Sequence, residues 1–579
     1  MGYSGTGLKP VHSAVSVVDN YEYVPGTVHL VDLEGDLHVR KEDGNSDIIL
    51  IPPPSSNPND PLRWSKRKKQ VQFWFLWWWA FFLAAIVNFS GPIYDTWVEV
   101  LNTNYNQLNT SSALCFLFLG VGCVFLQPTA LKVGRRFVYM LCTFLGILSC
   151  TVGGGAQNVH YLYVSNIFGG LAAAPVDSLV EISVTDVFYK HEVGTYVSYM
   201  IFALYAGSYL GPVAAGFVVD DLSWRWTFWI LTIIMGVFAF LQFFIMEDTT
   251  FYRDTNVDDV EDEILSQIQS RTASRAQSID LDDHENDHGK SAEKVRTQAA
   301  NNSVDADDSS IDYNIPKRSY VQRLKMIETE YNDPRSWFVL FLRPAFAYFP
   351  AVIYSALVYG SQMGWLSLLL VTQSQIYSDV PYNFNASMVG LTNVGAFVGS
   401  IFGMYYGGPL ADKFIIHMSR KNKGVFEPEM RLWMMIIPTI INAGGLLAYG
   451  LPSYYKAHWA WSVVLGQGGI GFAMSASGAI TIAYSVDCYT KAATDCLVFM
   501  LFIRNMIGFV FTYVFQYWLD ACGLKLLTWL LFMISVVING GFVIFLKWGK
   551  AFRKKTAAHY ERISRKDFLT RFFPNTKPT

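Results

Sequence analysis

Charged residues are scarce over long stretches of this chain. Asp, Glu, Lys and Arg make up 16% of its 579 residues and gather in a few polar segments, whereas 52% of residues are hydrophobic. The formal net charge of −3 gives no reason to expect a nucleic-acid partner. The seven cysteines lie mostly in apolar runs and predict no disulfide framework. This composition is typical of a membrane protein rather than a soluble enzyme.

Motifs for nucleotide binding and catalysis are also missing. Residues 289–291 resemble the end of a P-loop, but His284 replaces the first glycine of that loop. His191 and Glu192 lack the second histidine of a zinc-protease helix, and no cluster has metal-ligand spacing. We therefore expect no enzyme activity, no cofactor and no bound metal, so any work must draw on a gradient.

Long apolar runs dominate instead. A helix needs about 20 residues to cross about 30 Å of hydrocarbon, and the chain has six such runs in each half. We predict an all-α membrane protein with twelve transmembrane helices in two six-helix bundles, residues 70–250 and 343–547. The predicted spans are 70–95, 110–131, 137–156, 160–185, 196–219, 226–246, 344–370, 386–410, 431–451, 459–485, 495–518 and 525–547.

Lysine and arginine are distributed unevenly over the connections. They are frequent before span one, after spans two and eight and after the last span, but absent from residues 96–109, 157–159 and 376–385. Because positive loops remain in the cytosol, we predict a multi-pass plasma-membrane protein with both termini cytosolic. Two of the loops without positive charge offer glycosylation sequons, at Asn109 and Asn385.

Three segments are predicted to lie outside the bilayer. Residues 1–69, a cytosolic tail, and 251–342, a central cytosolic loop, have too little apolar surface to offset ordering entropy, so most of each should be disordered. Residues 316–342 have the composition of a short amphipathic helix along the membrane face. The basic tail, 548–579, should meet anionic headgroups.

The two halves repeat one design. Span four ends in an aspartate, aromatic and lysine pattern at 186–190, and span ten ends in the same pattern at 487–491. Repeats of this kind usually enclose a binding site near the membrane midplane and alternate its access.

A glycine-rich stretch is the most specific motif. Gly207, Gly211, Pro212 and Gly216 lie within one apolar run, where small residues let helices approach closely. The stretch resembles the antiporter motif in span five of the major facilitator superfamily, in the twelve-span drug:proton antiporter branch. The resemblance implies the major facilitator fold and a secondary transporter.

The segments after spans two and eight resemble the superfamily's Gly-x-x-x-Asp-Arg-x-Gly-Arg-Arg signature, which in that family latches the cytosolic side. The second copy keeps Gly408 and Asp412, whereas the first has Gln127 and Leu131 at those places. The resemblance and the repeat imply gating or structural roles also for Gly134, Arg135, Arg136, Asp186 and Asp487.

Further motifs resemble fungal members of the superfamily: residues 57–65 before span one, 427–432 before span nine and 503–509 in span eleven. Among these members they resemble the yeast histidinol and polyamine permease group, which implies small organic cations as substrates and a monomer in the bilayer. Related antiporters carry Arg-x-x-Gln-Gly in span four, but residues 166–170 here read Asn-Ile-Phe-Gly-Gly, so proton coupling cannot rest on that arginine.

Ionisable groups inside spans cost about 2.5 to 3.5 kcal/mol each on insertion scales, so each needs a partner or a function. A carboxylate in a cavity attracts an ammonium group and can release a proton as it binds. Asp177 is the candidate for this role, with structural pairing as the alternative. Glu181 should serve the latch, Arg504 should neutralise an acid, and Asp95 either reaches outer water or meets cations first.

In the fold that the resemblance implies, spans one, four, seven and ten line the cavity. Aromatic ring faces there contribute about 0.5 to 2 kcal/mol to binding an ammonium, and buried amides need partners that neighbouring helices can also supply. The substrate-binding or coupling candidates besides Asp95 and Asp177 are Asn88, Tyr354, Gln362, Trp365 and Gln467.

Three functions remain open. The first is secondary active, proton-coupled transport of small organic cations such as polyamines, by alternating access. The second is multidrug export in exchange for protons. The third is a non-transporting nutrient sensor that signals through its central loop.

Overall fold

The structure is a computed structural model that describes residues 25–29, 41–42, 45–49, 57–188, 190–250, 316, 318–327, 335–422, 425–565 and 568. Most of the two segments predicted to be disordered lies outside these residues. Within the described part the chain is almost entirely helical, and its strands are short: Val28–His29, Lys41–Glu42, Asn45–Ile49 and Val425–Phe426.

Six long helices form the first half of the molecule. They are α1 Lys66–Asn88, α2 Tyr105–Val133, α3 Arg135–Gly154, α4 Val159–Val187, α5 Lys190–Asp221 and α6 Trp224–Ile245. Shorter elements are the 3-10 turns Pro61–Arg63 and Gly91–Ile93 and the helix Tyr94–Val100.

The second half repeats this arrangement. Its long helices are α7 Pro350–Tyr377, α8 Ala386–Tyr405, α9 Ile436–Tyr454 and α10 Gly468–Cys488, followed by Ala493–Gly540. Gly523 interrupts this last helix with φ 70° and ψ 160°, which divides it into α11, 493–522, and α12, 524–540.

Shorter elements connect these helices. Tyr320–Arg323, Trp337–Leu342 and the 3-10 turn Arg343–Phe346 precede α7. A π turn, Tyr406–Leu410, extends α8 into the helix Ala411–Lys421, and another, Trp461–Gln467, begins α10. The remaining short elements are Glu429–Leu432, Trp433–Met435, Thr490–Ala492 and the final helix Phe542–Ser564.

Eleven helical runs in the described residues are long and apolar enough to cross a membrane, and the last, Thr490–Ser564, contains both α11 and α12. The prediction of an all-α membrane protein with about twelve spans is therefore confirmed. Span one was predicted to reach residue 95, but α1 ends at Asn88 because Gly91 and Pro92 begin a 3-10 turn. Span seven starts at Pro350, where proline's missing N–H costs nothing at a helix start.

The two ends of the helical bundle differ. We call one end the tail face: it holds residues 25–29 and the final helix Phe542–Ser564. The other end, the loop face, holds the connections 101–104, 155–158, 378–385 and 455–460.

The glycine-rich stretch on α5 packs closely against α1. A Cβ atom at Gly207 would lie 2.1 Å from the Phe81 carbonyl oxygen, and one at Gly211 would lie 3.1 Å from Ala85. Any larger residue at Gly207 would therefore push the two helices apart.

The same stretch also joins the two halves near the loop face. A Cβ atom at Gly216 would lie 2.4 Å from the Ala386 carbonyl oxygen at the start of α8. Similarly, a Cβ atom at Gly390 of α8 would lie 2.7 Å from the Pro212 carbonyl oxygen of α5. The helices α5 and α8 thus meet backbone to backbone, and α2 and α11 form the other main contact between the halves.

Candidate substrate cavity

A small cavity lies between the two halves, near the middle of the helices. The helices α1, α2, α4, α5, α7 and α11 all contribute to its wall. Its lining residues are Ala84, Val87, Asn88, Leu119, Ala173, Val176, Leu204, Tyr205, Ser208, Met363, Leu366 and Arg504. Most of this wall is apolar, so its few polar groups stand out.

Asn88 is the polar group that α1 contributes. Its side-chain Nδ2 donates to the Ala84 carbonyl oxygen at 3.1 Å and to Ser208 Oγ at 3.1 Å. Its Oδ1 atom is buried and accepts no hydrogen bond from the described residues. The Ser208 hydroxyl is itself held by donating to the Leu204 carbonyl oxygen at 2.8 Å.

Arg504 lies on the α11 side of the cavity and is fully buried. Its guanidinium carbon is 4.4 Å from the centre of the Tyr359 ring, and Nη2 donates to Met363 Sδ at 3.4 Å. The prediction that Arg504 neutralises a buried acid remains a prediction, and the structure adds that this cation lines the cavity.

Two tyrosines of α5 stand one above the other beside the cavity. The rings of Tyr205 and Tyr209 are nearly parallel with centroids 6.4 Å apart, and Tyr205 lines the cavity. Tyr209 also donates to Met474 Sδ of α10 at 3.1 Å. Tyr205 is therefore the aromatic residue of the cavity wall.

Asp177 and Glu181 lie on α4, but their side chains fall outside the described residues. Position 177 is one helical turn from Ala173 and adjacent to Val176, and both of these line the cavity. The role predicted for Asp177 therefore remains a prediction.

Five of the predicted site residues do not line this cavity: Tyr354, Gln362, Gln467, Trp365 and Asp95. Tyr354 and Gln362 face α12, where their side chains donate to Asn539, at 3.3 Å to its carbonyl oxygen and 3.2 Å to its Oδ1. Gln467 instead donates to Thr392 Oγ1 of α8 at 3.3 Å. For both amides a neighbouring helix supplies a partner for the NH₂ group, which was the alternative left open.

The fourth, Trp365, packs edge-on against Phe511 of α11, with ring centroids 5.9 Å apart. The expectation that spans one, four, seven and ten line the cavity is wrong for span ten, which contributes no lining residue. Spans two, five and eleven take part instead, because the halves meet along α2, α5, α8 and α11.

Asp95 lies at the loop face, in the short helix Tyr94–Val100 after α1, and is only partly buried. It accepts a hydrogen bond from the Tyr105 hydroxyl. Asp95 does not line the cavity, and its role as a first contact for cations remains a prediction.

The two predicted glycosylation sites differ in exposure. Asn109 lies within α2 with 0% of its surface exposed, so the folded chain leaves no room for a glycan there, and this prediction is corrected. The sequence could not reveal this because α2 begins at Tyr105, five residues before the predicted start. Asn385 is exposed at the start of α8, and its glycosylation stays a prediction.

At the tail face of the first half, Gly134 forms the turn between α2 and α3 with φ 112°. The next residue, Arg135, forms a salt bridge with Asp186 near the end of α4. Arg136 Nη2 donates to the Phe243 carbonyl oxygen of α6 at 2.6 Å. This cluster therefore ties together three helices of one half.

The second half has a related cluster. Arg431 Nη2 lies 2.9 Å from Asp487 Oδ2, and Nη1 lies 3.4 Å from Asp412 Oδ1. Sequence reasoning missed Arg431, although the repeat places it at the start of span nine as Arg135 begins span three. Nearby, a Cβ atom at Gly408 would lie 2.5 Å from Ser198 Oγ of α5, so this glycine lets the halves meet at the tail face.

Two repeated helical halves around a central cavity are the architecture of a secondary transporter. The family model described as Major Facilitator Superfamily matches residues 76–494, and the chain belongs to this superfamily.

Related proteins and solved structures agree with this membership. An MFS-type transporter of Schizosaccharomyces pombe is 30% identical over 564 residues, which cover 94% of this chain and 95% of that protein. Protein HOL1 of Saccharomyces cerevisiae is 28% identical over 576 residues, covering 94% and 97%. The xylose transporter XylE from E. coli, in a partially occluded inward-open conformation, superposes with TM-score 0.52 at 14% identity, covering 83% of this chain and 98% of XylE. That likeness concerns the fold alone.

Proposed function

We propose that this protein is a secondary active, proton-coupled transporter of small organic cations such as polyamines, working by alternating access. The observation that carries the proposal is the cavity between the two halves, with an unpaired buried amide oxygen of Asn88 on one wall and the Tyr205 ring on another. An oxygen acceptor and a ring face both attract an ammonium group.

Proton coupling is assigned to the carboxylate of Asp177. A carboxylate at this position of α4 could carry either the charge of the bound cation or the coupling proton. The positive charge of Arg504, at the cavity wall, would compensate the negative charge of the carboxylate whenever the carboxylate is deprotonated. Glu181 lies on the same helix. We assign it, together with Asp186, to the latch on the cytosolic side.

For topology, we propose that the tail face is cytosolic and the loop face extracellular in the plasma membrane. Lysine and arginine are concentrated in the tail-face segments, as positive-inside charge bias requires. The cation would then enter past Asp95. The monomer is the proposed unit, as the resemblance to the superfamily implies.

The test is initial-rate uptake of labelled spermidine into yeast lacking its own polyamine permeases, with and without this protein and with and without a protonophore. Saturable uptake that the protonophore abolishes is the expected result. No uptake above the empty-vector level, with the protein confirmed at the cell surface, would contradict the proposal.

A multidrug exporter of the drug:proton antiporter branch is the second candidate. The observation in its favour is the apolar character of most of the cavity wall, which suits amphipathic compounds. Deleting the gene separates the two functions: drug sensitivity without an uptake defect indicates the exporter, and a spermidine uptake defect indicates the importer.

A further inference from the structure

The orientation of the Asn88 side-chain amide is fixed by its neighbours. Its NH₂ group faces the Ala84 carbonyl oxygen, which can only accept a hydrogen bond, at 3.1 Å. Turning the amide over would place two oxygens in repulsive contact there. The same NH₂ group donates to Ser208 Oγ. The Oδ1 atom is therefore the part of the amide that has no hydrogen-bond partner.

This Oδ1 atom is a buried acceptor without a donor. Asn88 is 4% exposed, it lines the central cavity, and no described residue donates to Oδ1. An unsatisfied buried polar atom costs folding free energy. Other buried amides, Asn442 among them, also have an oxygen without a donor. Asn88 differs from Asn442 in its place on the cavity wall, where a bound molecule could supply the donor.

We infer that Asn88 determines specificity by accepting a hydrogen bond from an N–H group of the transported cation. This inference rests on the proposed function and adds to it. Protonated amines carry such a donor, whereas quaternary ammonium ions carry the same charge without one. Attraction to the Tyr205 ring does not separate these two classes, whereas a hydrogen bond to Asn88 Oδ1 does.

Ser208 is a positioning residue in this scheme. Its hydroxyl donates to the Leu204 carbonyl oxygen and accepts from Asn88 Nδ2, which holds the amide with Oδ1 directed away from α5. Removing the hydroxyl should loosen this orientation without removing the acceptor.

The experiment compares spermidine with its per-N-methylated quaternary derivative. Binding of each is measured by calorimetry on the purified full-length protein in nanodiscs, and uptake of labelled spermidine is measured in parallel. Wild-type protein should prefer spermidine by at least about tenfold, because a site built for a hydrogen bond rejects the analogue that lacks the donor.

The variants isolate the acceptor. Asn88→Leu should bring the preference to within about twofold while retaining affinity for the quaternary derivative, and Asn88→Asp, which keeps an acceptor, should retain the preference. Ser208→Ala should give an intermediate value. The matched control is Asn442→Leu: Asn442 also donates Nδ2 to a serine, Ser535, at 2.9 Å and also has a buried unpaired Oδ1, but lies outside the cavity.

The possible results distinguish failure of this inference from failure of the proposed function. Asn88→Leu protein that keeps the wild-type preference overturns the inference while leaving the proposed function intact. Wild-type protein that binds both compounds equally also overturns it. Should Asn88→Leu fail to fold, loss of the preference in Asn88→Asp overturns the inference as well. Wild-type protein that neither binds nor takes up spermidine contradicts the proposed function itself.

Discussion

Arg431, in the short helix Glu429–Leu432 before α9, forms a salt bridge of 2.9 Å with Asp487 near the end of α10. Arg135 and Asp186 form the equivalent salt bridge in the first half, from the start of α3 to the end of α4. The halves differ in one respect: Arg431 has a second carboxylate, Asp412, whereas the first half has Leu131 at the corresponding sequence position. Both halves thus contain the arginine–aspartate salt bridge, but only the second half adds a further carboxylate, Asp412.

This difference predicts unequal effects of neutralising the two aspartates. We expect Asp186→Asn to destabilise the protein by about 2 kcal/mol, because the hydrogen bond to a charged partner is lost. Asp487→Asn should cost less, since Asp412 still faces Arg431. Thermal unfolding of the purified variants gives the comparison, and an equal or reversed order of melting temperatures would contradict it.

The glycine contact between the halves predicts a transport defect. Gly216→Ala places a methyl group 2.4 Å from the Ala386 carbonyl oxygen, which the packing cannot accommodate without separating α5 from α8. We expect the initial uptake rate to fall at least about fivefold, since small misplacements at moving contacts are costly.

Gly236→Ala serves as the matched control for this substitution. Gly236 lies on α6 with no atom within 4 Å of an added Cβ, so its uptake rate should stay unchanged. A Gly216→Ala protein with the wild-type rate, at equal surface level, would show that the close contact is unimportant for transport.

For Asp177, the expected result is loss of coupling. Asp177→Asn keeps the size of the side chain but removes both its charge and its proton. We expect the spermidine KM to rise at least about tenfold, a loss of about 1.4 kcal/mol of binding free energy, and the remaining uptake to become insensitive to protonophore. Unchanged kinetics in a variant that reaches the membrane normally would exclude Asp177 from both roles.

The N-terminal segment 25–29 is bound at the tail face of the second half. Arg553, fully buried, pairs with Glu429 through Nη2 at 2.6 Å and donates Nη1 to the Pro25 carbonyl oxygen. Gly26 has φ 81°, and a Cβ atom there would lie 2.4 Å from the Asp487 carbonyl oxygen.

Two variants separate binding of this segment from stability of the bundle. Gly26→Val should release residues 25–29, which increases their cleavage in limited proteolysis, with little change in melting temperature. Arg553→Leu should also release the segment and, in addition, lower the melting temperature, because Glu429 is left buried without its partner. Proteolysis patterns identical to wild type in both would contradict the contact.

Glycosylation offers a simple test of topology. We expect a glycosidase-sensitive mobility shift that Asn385→Gln removes and Asn109→Gln leaves unchanged, because Asn385 is exposed at the loop face and Asn109 is buried. A shift that depends on Asn109 would mean that α2 begins later than the structure shows. The complete absence of a shift would count against an extracellular loop face.

The sequence by itself determined the features that depend on local composition. The number of spans follows from the length of apolar runs, and the repeated aspartate, aromatic and lysine pattern identifies Asp186 and Asp487 as equivalent positions of the two halves. The close packing at Gly207 also follows from residue type alone, because a residue without a side chain in an apolar run has few other uses.

Only the tertiary structure decided which face of each helix meets the cavity. Asn88 and Gln362 are both amides within predicted spans, yet one lines the cavity and the other bonds to Asn539 of α12. Rotation of a helix about its axis is set by the helices packed around it, and a buried helix that is apolar on all sides carries no amphipathic signal to reveal that rotation. For the same reason the contribution of Arg504 and α11 to the cavity became visible only when the two halves were seen together.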